Sequence, residues 1–288
     1  MTLILVLLGM AFEHFVGVAD ELRRFAWFND YTRWLENRFA QYPIWNGAAG
    51  VIMTLAGPLV IVALFAWGLS KLFLPVGFVF ALAVFVYSLG PRYLNPQIDE
   101  LIEALESADE GRIHELLNAF SAKDDVFQHD QDLIENILID ANARLFGVLF
   151  WFIVLGPVGA MFYRLACLLK QQHSDIRGRY AEAVHDLCNI LNWPPARLLT
   201  LGNALTGNMV NAMEGWRETE QRSLSVNEAV ICASGLGALS YQPPEYADDD
   251  AILEDKIYWL RALQGLLNRT LLAWLTLLGL MTLSGWMT

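Results

Sequence analysis

The chain has 288 residues, of which 55% are hydrophobic and 17% are charged, and its formal net charge is −12. The acidic balance argues against a nucleic-acid-binding protein, because nucleic acids select for patches of Lys and Arg. The composition also argues against an ordinary soluble domain, in which about a quarter of the residues are charged. The hydrophobic residues concentrate in five stretches, namely residues 1–18, 46–66, 72–90, 145–169 and 270–287.

The amino-terminal stretch begins MTLILVLLGMAF and continues into Glu13 and His14. It has no positively charged segment before the apolar run and no small-residue cleavage site, so we expect an uncleaved membrane anchor rather than a secretory signal. Ionisable groups at the end of a membrane segment are candidates for function, because burying them without a partner is costly. The alternative is that both side chains extend to the membrane interface.

The stretch at residues 145–169 is long enough to cross a bilayer, since a hydrocarbon core of about 30 Å needs roughly 20 apolar residues in a helix. Gly156, Pro157 and Gly159 interrupt it at its centre. Two arrangements fit this pattern: a single crossing with a proline kink, or a re-entrant segment that turns back inside the membrane. Lys and Arg residues occur on both flanks, and only the re-entrant arrangement keeps both flanks on the cytoplasmic side, with four true spans.

The two long polar segments are predicted to be helical. Residues 95–142 and 176–240 keep apolar residues at helical spacing. Pro194-Pro195 predicts that one helix ends and another begins there, and residues 241–250 predict an exposed loop. The predicted fold is therefore an all-α integral membrane protein with about four transmembrane helices, a broken or re-entrant segment and a helical cytoplasmic domain.

The predicted organisation has five parts. Residues 1–90 contain the N-terminal transmembrane helices with a short basic loop, and residues 270–288 contain the C-terminal transmembrane helix. Residues 91–144 and 170–269 are predicted to be cytoplasmic helical segments, which flank the membrane segment at residues 145–169.

Few residues carry the signature of a known chemistry. The His and Cys residues show no metal-ligand spacing, so no metal site is predicted, and there is no glycine-rich phosphate loop. Arg197 follows the double proline and could face an anion or a carboxylate such as Asp186, while Arg144 and Arg164 bracket the broken segment. No catalytic residue is assigned. The candidate ligand pocket comprises Glu13, His14, Asn142, Arg144, Tyr163, Arg164, Asp186, Arg197 and Glu228.

The sequence resembles a known family at two places. FGVLFWFIVLGPVGAMFYRL, preceded by ANARL, and the later run ILNWPPARL resemble the AmpE proteins of Gram-negative bacteria. These are inner-membrane proteins linked to induction of the AmpC β-lactamase and to sensing the state of the cell wall. They are distant relatives of the CbiB/CobD adenosylcobinamide-phosphate synthases, which join an aminopropanol-type amine to a corrinoid carboxylate with ATP and Mg²⁺.

Part of the synthase pattern is present in this chain. The Ala-Met-x-Tyr-Lys run of the synthases is similar to residues 160–164, and their Pro-Ala-Arg-Leu run is similar to residues 195–198. Their Glu-Ala motif, which precedes a Gly-rich apolar stretch, is similar to Glu228-Ala229. These matches imply a shared scaffold.

The acidic signatures of the synthases do not match. Their Asn-Thr-x-Asp-Ser run falls on residues 166–170, and their paired Asp falls on Cys188 and Asn189. Acidic oxygens normally hold Mg²⁺ against a triphosphate, so the resemblance implies that the expected metal ligands are lost. Asp175 and Asp186 are the nearby carboxylates that could substitute.

The resemblance favours an inner-membrane, multi-pass regulatory or sensory protein of the AmpE type, which modulates β-lactamase induction and peptidoglycan recycling without catalysis. The alternative is a CbiB-like ligase that joins an amine to a corrinoid or another carboxylate. ATP and Mg²⁺ are expected only for that alternative, and otherwise no cofactor is expected. The expected partners are the lipid bilayer and an unidentified small-molecule ligand or cell-wall signalling partner; a homodimer is left open, and no nucleic acid is expected.

Overall fold

The computed structural model describes residues 2–16, 25–39, 41–42, 45–89, 94–120, 130–173, 178–222, 227–243 and 249–284. Most of these residues are helical, and none of them forms a strand. The prediction of an all-α fold is confirmed.

The helices are named in chain order. They are α1 (Thr2–Val16), α2 (Ala26–Phe39), α3 (Ala48–Leu72), α4 (Leu74–Ser88), α5 (Leu94–Glu106), α6 (Glu110–Phe120), α7 (Asp130–Ala141), a π-helical turn (Asn142–Phe146), α8 (Gly147–Gln172), α9 (Arg179–Thr206), α10 (Met209–Arg222), α11 (Asn227–Leu239) and α12 (Asp249–Leu283).

Three stretches of helix are long and apolar enough to cross a membrane: Ala48–Lys71, Gln131–Gln172 and Ala251–Leu283. Pro75–Ser88 and Asn227–Leu239 are shorter apolar helices. In the most apolar 18 residues of the three long stretches, the buried share is 28%, 44% and 28%, respectively. Apolar surfaces of this extent are not left in water, so the chain is a membrane protein.

The described residues form two compact units. Unit 1 contains residues 1–91 and 143–192, and unit 2 contains residues 92–142 and 193–286. In unit 1, α4 packs against α1, α3 and α8, and the rings of Phe85 and Phe152 lie 4.5 Å apart. In unit 2, α11 packs against α7, α10 and α12, while α5 packs against α6 and α12.

Helix α8 is a helical hairpin. At Gly156 the backbone leaves the helix, with φ 67° and ψ −153°, a conformation that glycine adopts far more readily than other residues. A Cβ atom added at Gly159 would lie 2.3 Å from the carbonyl oxygen of Trp151, although eight residues of straight helix span about 12 Å. The chain therefore turns back at Gly156, and of the two arrangements left open above, the geometry favours the re-entrant one.

Helix α9 does not end at its double proline, contrary to the prediction. It continues through Pro194 and Pro195. Pro195 has no N–H group, so the carbonyl group of Leu191 loses its usual helical partner. Trp151 compensates, because its Nε1 donates a hydrogen bond to the Leu191 oxygen over 3.0 Å. A contact from another helix thus allows the helix to pass the prolines, and the local sequence does not reveal it.

The last helix begins earlier than the hydropathy pattern predicts. α12 starts at Asp249 and continues without a break into the apolar segment predicted at residues 270–288. The loop predicted at residues 241–250 is non-helical at residues 241–243, and residues 244–248 lie outside the described part of the chain.

Candidate functional site

In unit 1, Tyr163 lies at the base of the α8 hairpin and is completely buried. Its hydroxyl group donates a hydrogen bond of 2.6 Å to Oδ1 of Asn192 on α9. Gly147 makes room for the ring, since a Cβ atom there would lie 2.2 Å from both Cζ and Oη of Tyr163. The sequence identified Tyr163 through a motif but missed Asn192, whose only signal is an amide in an otherwise apolar turn.

Arg164 is the next residue, and only 7% of it is exposed. Its guanidinium carbon lies 5.7 Å from the centre of the Phe25 ring, a cation–π arrangement. That it reaches an end of the broken segment stays a prediction. Arg144 lies in the π-helical turn and is half-buried.

The two places that correspond to the synthase acidic signatures meet in space. Sγ of Cys188 donates to the carbonyl oxygen of Ala166 over 3.1 Å. Ala166, Leu169 and Cys188 are all buried. The side chains of these three residues offer no oxygen ligand, and Asn189, the other residue of the second signature, offers only a neutral amide. Mg²⁺ in nucleotide sites is bound mainly through carboxylates, phosphates and water. This place does not fit Mg²⁺.

No other described residues provide a metal site either. Among them there is no group of three or more His, Cys, Asp or Glu side chains that could hold a metal ion. Asp186 is exposed on α9, and Asp175 lies outside the described residues.

In unit 2, Arg197 contacts Asn227 and Trp193. Its Nη1 donates a hydrogen bond to Oδ1 of Asn227, and its guanidinium carbon lies 5.2 Å from the centre of the Trp193 ring. The sequence reasoning missed the amide partner, and the predicted anion or carboxylate partner stays a prediction. Because Asn227 and Glu228 open α11, the Arg197–Asn227 hydrogen bond brings together the two motifs at residues 195–198 and 228–229.

A row of polar side chains continues from Arg197 along α9, and we call Arg197, Thr200, Asn203 and Thr206 the α9 polar row. Thr200 accepts a hydrogen bond of 3.2 Å from Ser234 on α11, and Asn203 accepts one of 3.0 Å from Thr270 on α12. Each step of three residues turns an α-helix by about 300°, so the row winds slowly around α9, and its two central members, Thr200 and Asn203, are the buried ones. The sequence reasoning missed this row, although the spacing is visible in it.

The remaining predicted residues are Asn142, Glu13 and His14. Asn142 is buried at the start of the π-helical turn in unit 2. Glu13 and His14 belong to α1, but their side chains lie outside the described part of the structure. Of the predicted pocket residues, Arg144, Tyr163, Arg164 and Asp186 belong to unit 1, and Asn142, Arg197 and Glu228 belong to unit 2. The pocket itself stays a prediction.

A polar cluster that the sequence reasoning missed lies near the end of α8. Nδ1 of His173 is 3.0 Å from the Leu169 carbonyl oxygen, and its Nε2 is 3.0 Å from a carboxylate oxygen of Glu36. Tyr180 packs beside His173 and hydrogen-bonds Thr54 over 3.0 Å; burial raises the pKa of Tyr180 to about 12, and that hydrogen bond opposes the rise only in part.

Comparison with known proteins gives a consistent result. The family model described as "CobD/Cbib protein" matches residues 6–242. The cobalamin biosynthesis protein CobD of Chromobacterium violaceum is 30% identical over 208 residues, which is 68% of this chain and 65% of that protein. The protein of the same name from Stutzerimonas stutzeri is 29% identical over 185 residues, 61% of this chain and 60% of that protein. The matches thus span less than two thirds of these relatives, and no solved structure matches.

These matches contradict the main functional prediction. Both relatives carry the name CobD, and neither they nor the family model carries the name AmpE. The assignment to AmpE and the roles in β-lactamase regulation, antibiotic resistance and cell-wall signalling are therefore wrong. The error arose because the motifs at residues 146–165 and 190–198 also resemble the synthases, and the missing acidic residues were given more weight than the shared scaffold.

Proposed function

The chain belongs to the CobD/CbiB family, and on that premise we propose that it takes part in cobalamin biosynthesis as a multi-pass protein of the bacterial inner membrane. The observation that carries this proposal is the family match, which covers residues 6–242. The names of the two CobD relatives support it.

The proposed activity is the binding of a corrinoid carboxylate and its joining to an amine. Arg197 is the group proposed to recognise the carboxylate, because a planar guanidinium presents parallel N–H donors to the two oxygens of a carboxylate. The Trp193 ring and the Asn227 amide support its orientation. The proposed role of Arg197 is also supported by its position in the Pro-Ala-Arg-Leu motif, because its hydrogen bond to Asn227 brings that motif to Glu228.

The carboxylate must be activated before it can react with an amine. Among the described residues, none is recognised as a Mg²⁺ ligand for that step. Activation by ATP would need Mg²⁺ ligands, and the place formed by Ala166, Leu169 and Cys188 offers none. No step through ATP or Mg²⁺ is assigned to these residues. Corrinoid binding is therefore the first property to measure, and amide formation is the second.

The proposed topology follows from the hairpin. Because α8 turns back at Gly156, we place Arg144 before the hairpin and Lys170 at its end on the same side of the membrane. Positively charged residues favour the cytoplasmic side, so we assign that side to both. A homodimer in the membrane stays a prediction.

The test uses the full-length protein in lipid nanodiscs with a corrinoid acid, an amine, and ATP with Mg²⁺ present or omitted. Corrinoid binding is followed by its visible absorption, and the amide product by mass spectrometry. We expect saturable binding that Arg197→Met weakens roughly 10-fold or more, as loss of a charge-assisted hydrogen-bond pair predicts. Arg217→Met, which removes an exposed charge from α10, is the matched control.

The outcomes separate the two parts of the proposal. Binding together with amide formation supports both parts. Binding without product in any condition supports the corrinoid site and contradicts the joining reaction. No binding, with a protein that remains folded, contradicts the proposed function.

A further inference from the structure

The second half of α9 has an inverted distribution of polarity. Thr200 and Asn203 are completely buried. On the opposite side of the helix the exposed fractions are 38% for Leu198, 41% for Leu201 and 71% for Leu205. A helix on the surface of a soluble protein shows the reverse, with its apolar side toward the core.

The buried polar side chains have partners inside unit 2. The Oγ atoms of Thr206 and Thr270 are 2.8 Å apart, and Thr270 also donates to Asn203. Ser234 donates to Thr200. Hydrogen bonds of this kind between neighbouring helices are what a low-dielectric surrounding requires of buried polar groups.

Helix α9 also lies beside a stretch that is long and apolar enough to cross a membrane. Nε of Arg269 on α12 donates to the Thr206 carbonyl oxygen over 3.1 Å. Four residues earlier, a Cβ atom on Gly202 would lie 2.6 Å from Thr270 and 3.1 Å from Nε1 of Trp274. Where the two helices touch, the numbering falls along α9 as it rises along α12. The residues of α9 before Gly202 therefore lie toward the half of α12 after Arg269. That half contains no charged residue.

The exposed side of α9 continues this uncharged surface. No charged residue occurs between Leu198 and Met213. α12 likewise exposes Leu272, Leu277 and Leu280. Helix–helix interfaces in membranes are enriched in small residues, whereas the exposed row on α9 consists of leucines, which favours acyl chains over a second protein surface.

We propose that α9 between Trp193 and Thr206 lies in the hydrocarbon layer, with Leu198, Leu201 and Leu205 facing lipid acyl chains and the α9 polar row facing the inside of unit 2. Length and hydropathy alone do not single out this helix, because Arg197 and the buried polar residues lower its apolar character. The proposal moves part of the segment predicted to be cytoplasmic, residues 170–269, into the membrane. It does not depend on the corrinoid activity.

The experiment places a nitroxide label at single cysteines in a background of Cys167→Ser, Cys188→Ala and Cys232→Ala. Leu198→Cys, Leu201→Cys and Leu205→Cys probe the exposed row in vesicles of phosphatidylethanolamine and phosphatidylglycerol. Collision with oxygen, which concentrates in lipid, is compared with collision with a water-soluble nickel chelate. The ratio is expected to be several-fold higher at the three leucine positions than at Glu214→Cys and Glu218→Cys on α10.

Two results would overturn the proposal. The first is chelate access at residues 201 and 205 equal to that at residues 214 and 218. The second is dipolar broadening between labels that disappears on dilution with unlabelled protein, since the covering surface would then be a second copy.

A second measurement avoids the cysteine-free background, so it remains valid if that background misfolds. Leu205 is replaced by benzoylphenylalanine in the otherwise native chain and irradiated in membranes. Adducts of phospholipid mass support the proposal, whereas a cross-linked dimer, or recovery of the protein without adducts, contradicts it.

Discussion

The base of the α8 hairpin in unit 1 and the α9 polar row in unit 2 differ in how their buried polar side chains are packed and hydrogen-bonded. At the hairpin, the main constraint is steric, because Gly147 leaves only enough room for the Tyr163 ring, and the Tyr163 hydroxyl group donates a hydrogen bond to Asn192. In the α9 polar row, a cation and three uncharged side chains are distributed along the helix and bonded to its neighbours. The first region resembles a packed core, and the second resembles the interior of a membrane bundle.

This difference bears on where chemistry can occur. The hairpin region contains the places where the synthases carry acidic residues, and in this chain the two places are joined by a hydrogen bond from the Cys188 thiol to the Ala166 carbonyl oxygen. The α9 polar row retains a fixed guanidinium that can recognise an anion. If the chain handles a carboxylate, unit 2 is the better candidate to bind it.

The largest effect is expected for Gly147→Ala. The added methyl group would overlap the Tyr163 ring, so we expect the hairpin to be destabilised by about 3 kcal/mol. Thermal unfolding in detergent, followed by intrinsic fluorescence, measures the change. Gly68→Ala on α3 is the control, because nothing lies within 4 Å of its added Cβ; an equal loss in both variants would mean that the steric account of the hairpin is wrong.

Asn227→Leu tests the opposite region. It removes the amide that accepts a hydrogen bond from the Arg197 guanidinium, and hydrogen bonds to charged groups contribute about 1.5–3 kcal/mol. We expect a loss of stability in this range together with weaker corrinoid binding. Asn136→Leu, which removes only a bond to the carbonyl oxygen of Asp132 in its own helix, should leave binding unchanged. Unchanged binding in Asn227→Leu would remove its proposed orienting role.

Tyr163→Phe separates packing from hydrogen bonding at the hairpin. The ring stays in place while the 2.6 Å hydrogen bond to Asn192 is lost, so destabilisation of about 1 kcal/mol is expected. Denaturation in a mixed-detergent titration measures it, and Tyr42→Phe at an exposed site is the control. A loss as large as that of Gly147→Ala would show that the polar contact, not the steric fit, dominates this region.

The smallest effect near neutral pH is expected at Tyr180. Its pKa rises from 10.0 to about 12 in the folded protein because burial disfavours the phenolate. The folded state therefore binds the proton more tightly, so this contribution to stability is complete below pH 10 and is lost as the pH rises toward 12. Unfolding midpoints measured across this range should fall less steeply in Tyr180→Phe; identical slopes would contradict the assigned cause.

Several features of the fold could be predicted from local patterns. Apolar stretches long enough for a bilayer, and helical spacing in the polar segments, depend only on neighbouring residues, so the all-α membrane class followed directly. Gly156 and Pro157 indicated a break within α8 for the same reason. The direction of the chain after that break did not follow, because a kink and a reversal have the same local sequence.

The candidate site was less predictable because its contacts join distant residues. Motif resemblance identified Arg197 and Tyr163, but their partners Asn227 and Asn192 carry no local signal. The continuity of α9 through its double proline depended on Trp151, which lies 40 residues earlier than the carbonyl group it satisfies. The family itself was misjudged because absent acidic residues were given more weight than retained motifs.

The amino-acid sequence by itself determined that this chain is helical and apolar enough to reside in a membrane, since both properties are sums over neighbouring residues. Only the tertiary structure decided that α8 reverses, that α9 passes its prolines, and that the α9 polar row faces inward. Those outcomes depend on close approaches and hydrogen bonds between residues far apart in the chain, which local patterns do not encode.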